Sequence, residues 1–247
     1  MEKSIEKKKK ESRMSLVNRF LGVFFNPKET FKALSEKPKW VDMLILLLIA
    51  VIVYFYIIGP YVQQDQIKAF ENNTRLKERL GEEAYNQRLD FLKNPPQFMI
   101  VIGLIMQPIS LLIIFLIQSL IILGLGRLSS TEGNFIKVFS ALIHASAINL
   151  VLGNALRSFL ILTRKSVFQT TTSIALFFPK LEVTSPPFIV LSQIDFFQLW
   201  LFGVLGYALS SIFKFELKKG LILSYSFWLI KSLFNIALGL LNLRFGG

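Results

Sequence analysis

The chain has 247 residues, 28 lysines and arginines against 16 acidic residues, a formal net charge of +12, one histidine and no cysteine. Mean hydropathy is +0.52, and only 18% of residues are charged, where a soluble domain usually has about 25%; this points to an integral membrane protein. The missing cysteine excludes disulfides, thiolate metal sites, iron–sulfur ligation and cysteine nucleophiles, and a single histidine excludes multi-histidine zinc sites.

The chain opens on a charge-rich run, Glu2–Arg13, with Lys7, Lys8, Lys9 and Lys10 consecutive. Such a run is a solvated tail, or it is drawn to anionic lipid at about 1 kcal/mol per basic residue near the surface. The interleaved Glu6 and Glu11 weaken that attraction. No aromatic–basic platform accompanies the charges, which speaks against nucleic acid. Leu16, Phe20, Leu21 and Phe24 then recur at helical spacing, with Asn18 and Arg19 between them. That pattern suits a helix lying on the inner membrane surface. Asn26-Pro27-Lys28-Glu29 reads as a second helix start, with Asn26 as the cap and Pro27 in the first helical position. Phe31 and Leu34 share a face, Pro38 ends the helix, and Trp40 sits where an interfacial anchor belongs. Residues 1–40 therefore read as a cytoplasmic basic tail with amphipathic helices. Its role is to seat the first span or to offer a partner-binding surface, and Lys7–Lys10, Phe20, Phe24 and Trp40 are its candidate membrane-surface contacts.

Residues 41–243 read as a membrane domain of five transmembrane helices, since about 20 apolar residues cross a bilayer. The spans are placed at about 41–62, 98–124, 138–162, 188–213 and 220–243. The first reads as a retained anchor, because a 40-residue polar lead precedes a full-length span. Between the first two, Gln63–Pro96 carries interrupted helical periodicity. It is expected to form one or two helices outside the membrane, broken near Gly81 and ended by Pro95-Pro96. Ser166–Pro187 has an apolar run too short to span and reads as interfacial or re-entrant. Sixteen basic residues flank one side of this arrangement and eleven the other. The bias favours a cytoplasmic N-terminus and an outside C-terminus.

Polar residues within spans are costly and mark packing contacts or functional groups. Ala141, Ala145, Asn149 and Gly153 recur every four residues on span three, a spacing that lets helices pack closely. His144 on the same span reads as a satisfied interior hydrogen-bonding group or a proton carrier. Asp195 lies roughly 10 Å below the outer end of span four at about 1.5 Å per residue. Lys231 on span five reaches a comparable depth and Arg157 is a competing partner. Asn235 extends a polar stripe from Lys231. These residues form either a structural ion-pair network or a polar pathway for an ion or solute.

The sequence contains no H-E-x-x-H, no G-x-S-x-G and no G-x-x-x-x-G-K loop. Asp195 is the only acid deep in a predicted span, and an intramembrane aspartyl mechanism needs two. Catalytic, cofactor-binding and metal-binding residues are therefore assigned as none.

Several segments together resemble a known family. Asn26-Pro27 with Thr30-Phe31 and Trp40, Gly133-Asn134-Phe135 through Val138-Phe139-Ser140 to His144-Ala145, and Thr172-Ser173-Ile174-Ala175-Leu176 occur in order. Gln193-Ile194-Asp195-Phe196-Phe197-Gln198-Leu199-Trp200 follows, then Gly206 and Lys218-Lys219-Gly220. In this order they resemble the Yip (Ypt/Rab-interacting protein) membrane domain family, in its prokaryotic branch, over about residues 16–240. The resemblance implies an all-α, polytopic five-helix domain with a cytoplasmic N-terminus, in a prokaryotic cytoplasmic membrane. It assigns no catalytic residue, and it draws attention to Asp195 and Trp200. Eukaryotic relatives are associated with vesicle traffic and Rab-type GTPases; the tail lacks their short acidic signatures, so Rab binding is not carried over. The leading functional reading is a non-enzymatic scaffold or adaptor, in contact with the lipid bilayer. A protein partner would bind through Leu16–Leu34 or Gln63–Lys93. The competing reading is a small transporter or channel using Asp195, Lys231, Asn235, His144 and Arg157.

Overall fold

The computed structural model describes residues 14–168 and 172–245, so Lys7–Lys10 lie outside the described residues. The described chain is helical, with no strand beyond an isolated bridge between Ser173 and Asp195. Its α-helices are α1 (Leu16–Phe25), α2 (Pro27–Glu36), α3 (Val41–Glu71), α4 (Thr74–Leu80), α5 (Glu82–Lys93) and α6 (Gln97–Arg127), then α7 (Phe135–Ala147), α8 (Asn154–Arg164), α9 (Pro186–Ser192), α10 (Phe196–Phe213) and α11 (Leu217–Phe245). A π-helical turn, Ile148–Gly153, joins α7 to α8, so that Phe135–Arg164 is one continuous helix. Five helices are long and apolar enough to cross a membrane: Val41–Glu71, Gln97–Arg127, Phe135–Arg164, Phe196–Phe213 and Leu217–Arg244. The expected all-α, five-helix membrane architecture is therefore present.

The chain forms two compact units. The first takes the described part of Met1–Ala50 together with Ser110–Leu152 and Phe196–Leu233. Within it α7 is packed on by α1, α2 and α10. Every residue from Val138 to Ala147 is buried. Small side chains at Ser140, Ala141, Ala145, Ser146 and Ala147 let the neighbours approach closely.

Helix α1 departs from its sequence reading. Ser15 caps it, accepting from the Asn18 amide at 3.2 Å. Arg19 and Val23 point inward and are buried. Leu16, Phe20 and Phe24 pack against the core, and the Phe24 ring meets Trp200 edge-on at 5.9 Å. The stripe expected on the membrane surface is thus largely turned to the protein. Trp40 likewise packs on Phe139, ring to ring at 5.3 Å. The outward face of α1 is a different one, Val17, Leu21 and Phe25. Helix α2 begins at Pro27 as expected, but the Asn26 side chain makes no capping bond. It buries Thr30, Phe31, Leu34 and Ser35 against α7 and α10.

Helices α10 and α11 approach backbone to backbone in this unit. A Cβ on Gly220 would stand 2.5 Å from the Gly206 carbonyl oxygen and 2.8 Å from the Ser210 nitrogen. Neither neighbour is a side chain that could move aside. Gly220→Ala should therefore lower stability by about 1–3 kcal/mol, read as an earlier melting of the detergent-solubilised protein. An unchanged melt would mean that the two helices separate freely.

The turn between α6 and α7 is clasped to the end of α10. The Ser130 hydroxyl donates to the Phe213 carbonyl at 3.0 Å, and Lys214 pairs with Glu132 at 2.9 Å. The Phe213 ring fills the space a Cβ would take at Gly126 and at Gly133, whose φ is +85°. The hydrogen bond and charge of Lys214 hold the Glu132 carboxyl below its ordinary value of 4.5. A lowered folded pKa contributes stability above the unfolded value and loses it as pH falls through the folded one. Replacing Glu132 by Gln should lower the melting temperature slightly at pH 7 and leave it unchanged well below pH 4.5.

The second unit takes Val51–Ile109, Gly153–Asp195 and the described part of Phe234–Gly247. Helix α3 runs on through Pro60 to Glu71, longer than the span read from sequence. Its extension carries an arm made of α4 and α5. The break at Gly81, with φ +78°, and the stop before Pro95-Pro96 match the sequence reading. The Phe70 and Tyr85 rings stack at 4.8 Å, the Gln63 amide donates to Leu92 O at 2.8 Å, and Lys93 pairs with Glu71 at 2.8 Å.

The fourth span, by contrast, is shorter than its sequence reading. Phe188–Phe213 reads as one helix, yet α9 ends at Ser192 and α10 starts at Phe196. The intervening backbone is used elsewhere: Ile194 O accepts from the Ile174 amide at 3.0 Å, and Asp195 forms the bridge with Ser173. Asp195 is therefore not part-way down a continuous span but one residue before its helix.

Candidate functional site

Two buried polar clusters form, one in each unit. In the first, Arg19 is the centre. It sits at the position of α1 that shares a face with Leu16, Phe20 and Val23. Asp42 meets it from the first turn of α3, where a helix N-terminus favours a carboxylate. The contact is a fork: Nη1 donates to Asp42 Oδ1 at 3.1 Å, and Nη2 makes a short bond to Oδ2. Nη1 also reaches Lys39 O at 2.8 Å and His144 Nε2 at 3.3 Å. His144 Nδ1 lies 2.8 Å from Ser140 O. A carbonyl can only accept, so Nδ1 carries the proton and Nε2 is the acceptor for Arg19. Arg19 is 3% exposed and His144 fully buried. One arginine thus ties α1 to α3 and α7. In this arrangement His144 accepts from Arg19 and donates to Ser140 O.

The second cluster is centred on Asp195. Arg157 Nη2 donates to both carboxylate oxygens, at 3.3 and 3.2 Å. The Thr172 hydroxyl donates to Oδ2 through a short bond, and Arg157 Nε donates to Thr172 Oγ1 at 3.2 Å. Asn154 Oδ1 accepts from Arg157 Nη1 at 3.0 Å. The triangle of Arg157, Thr172 and Asp195 pins the segment before the Ile174–Phe177 turn to the residues ahead of α10. Between the two partners read for Asp195, Arg157 makes the ion pair. Lys231 donates to Gln198 Oε1 at 2.7 Å, and Asn235 donates to Gln193 Oε1 at 3.1 Å. Asn149 lies half-buried in the π-helical turn.

Three charged residues with interior partners were not singled out from the sequence in these roles. Arg19 was placed on the polar side of a surface helix, although its i, i+3, i+4, i+7 relation to Leu16, Phe20 and Val23 puts it on the buried face. Asp42 fell at the start of the first span, 41–62, and was given no role. Asp65 fell in the outer helical segment Gln63–Pro96 and was given no role, yet it is 3% exposed and accepts from the Ser166 hydroxyl at 2.8 Å and the Val167 amide at 2.6 Å. No group of three or more metal-ligating side chains forms among the described residues.

Helix α6 shows what surrounds the protein. Its 18-residue apolar window is 6% buried, against 61% for Phe135–Arg164. Its buried residues, Phe115, Ser119, Ile122 and Gly126, form one narrow stripe. An exposed apolar surface of that extent belongs in lipid. Together the five apolar helices and the internally paired polar groups define a multipass integral membrane protein in contact with the bilayer. The chain belongs to the Yip1 domain family, whose family model matches residues 21–239. Searches of curated proteins and of solved structures return no match.

Proposed function

We propose that this protein is a non-enzymatic membrane scaffold or adaptor. The observation that supports this reading is the disposition of its interior polar groups. Asp195 is bonded to Arg157 and Thr172, His144 to Arg19 and Ser140, Lys231 to Gln198, and Asn235 to Gln193. Each interaction joins segments distant in sequence or completes a helix turn, as a load-sharing network does. The partner surface is the arm, Gln63–Lys93. Tyr85 is the buried residue of α5, while Lys77, Glu78, Glu82, Glu83 and Arg88 are exposed. A shallow cleft lies among Glu71, Asn73, Lys77, Glu78, Glu82 and Tyr85. The N-terminus is cytoplasmic in this reading, from the excess of basic residues on that side.

Purification from native membranes in mild detergent tests it. A near-stoichiometric protein partner is expected, lost in the Glu78→Lys, Glu83→Lys double variant at unchanged protein level. A protein that purifies alone or only with lipid would overturn the adaptor reading. Flux assays on Asp195→Asn and Lys231→Met would then test a transport pathway.

A further inference from the structure

Helix α1 is apolar on two opposite faces. One packs on the protein through Leu16, Phe20 and Val23. The other, Val17, Leu21 and Phe25, is 62%, 46% and 79% exposed and recurs every four residues. Helix α2, joined to α1 through Asn26, differs. Its outward positions are Lys28, Glu29, Lys32 and Glu36. The same hairpin therefore turns one helix outward to an apolar medium and the next to water. At ten residues α1 is about 15 Å long, half of what a bilayer core requires. It can lie along a membrane surface but cannot cross it.

We propose that the Val17–Leu21–Phe25 face of α1 is embedded in the headgroup–acyl boundary of an anionic leaflet, with the lysines of α2 and its exit taking lipid phosphates. The charge complementarity favours lipid over a protein groove. Lys28, Lys32, Lys37 and Lys39 are exposed around the hairpin against Glu29 and Glu36. The sequence just before it adds Lys7, Lys8, Lys9 and Lys10. Lysine at a membrane surface is attracted to phosphate while its alkyl stem lies along the apolar boundary. The fork from the buried Arg19 to the half-exposed Asp42 fixes the helix rotation, so the apolar stripe is presented outward. This inference stands independently of any adaptor role.

The absence of native cysteine allows single nitroxide labels at Leu21→Cys, Phe25→Cys and Lys32→Cys in the full-length protein. The protein is reconstituted into phosphatidylethanolamine–phosphatidylglycerol vesicles and, separately, into phosphatidylcholine vesicles. In the anionic vesicles the labels at 21 and 25 should be relaxed by oxygen rather than by an aqueous nickel chelate, at a depth of about 5–10 Å. The label at 32 should show the reverse. In phosphatidylcholine, and in a Lys28→Gln, Lys32→Gln variant, chelate access at 21 and 25 should rise. Chelate access at 21 and 25 in both vesicle types would overturn the proposal. So would protection seen only in native membranes, which would give the face to a protein partner. Dipolar broadening between labels at 21 would give it to a second copy. Equal depth in both lipids would overturn the anionic preference.

Discussion

Asp195→Leu should cost the purified protein about 3–5 kcal/mol of stability, because it leaves the Arg157 guanidinium buried without its counter-ion. The side chains are 7% and 17% exposed in the pair, so water cannot readily replace the lost carboxylate. Asn154 and Thr172 would still bond the guanidinium, but neither carries charge. The double variant Arg157→Met, Asp195→Leu should recover much of the loss, since two apolar side chains of similar size often replace a buried pair at little net cost. Equilibrium unfolding of the four proteins of this cycle in one detergent measures the coupling directly. A near-zero coupling would show that Arg157 is held by its other partners. Asp195→Asn separates structure from transport: lost flux with an unchanged melt would favour a pathway, whereas a lowered melt identifies a structural pair.

Arg19→Leu is expected to loosen α1 from the rest of its unit. The substitution removes the fork to Asp42 and leaves His144 Nε2 buried without a donor, at about 1–3 kcal/mol for that atom. Asp42, 45% exposed, would regain water and so offset part of the change. Arg19→Lys should rescue little, because an ammonium cannot bridge a carboxylate bidentately while also reaching a carbonyl and an imidazole. Val23 is fully buried beneath the helix and reports its attachment. Maleimide labelling of Val23→Cys should rise roughly 5- to 30-fold in the Arg19→Leu background, the change that one or two kcal/mol produces in a local equilibrium. Equal labelling in both backgrounds would mean that apolar packing alone seats α1.

The five spans were legible because each holds some twenty residues with almost no charge, and hydropathy is additive over such a window. The arm was legible for a local reason, a glycine at 81 and paired prolines at 95 and 96. What hydropathy cannot register is rotation about a helix axis. Arg19 counts the same in a window whether it faces water or His144. The break before α10 was hidden similarly: Ser192-Gln193-Ile194 contains neither proline nor glycine, and the backbone leaves the helix to pair with Ser173 and Ile174 from a separate segment. Depth arithmetic set Asp195 level with Lys231 and left Arg157 as a competitor; it assumed one unbroken helix over 188–213, whereas the ion pair is with Arg157 and Asp195 precedes α10. The deciding residue, Thr172, lies in a segment without periodicity. His144 was recognised as an interior polar group, and its donor was missed because it came from a helix assigned to the membrane surface.

The pairing of α10 with α11 has a consequence for biogenesis. These are the least hydrophobic of the five, with mean hydropathy 1.6 and 1.5 against 2.8 and 2.7 for α3 and α6. They are also bonded to each other: Lys231 donates to Gln198, and the Ser224 hydroxyl donates to the Phe202 carbonyl at 2.6 Å. Alone in the lateral exit of a translocon, α11 would enter hydrocarbon without the bond from Lys231 to Gln198. Beside α10, joined by the short link at 214–216 and closed glycine against carbonyl, it enters with that bond made. The last two spans are therefore expected to leave the insertion machinery together, as a preformed hairpin.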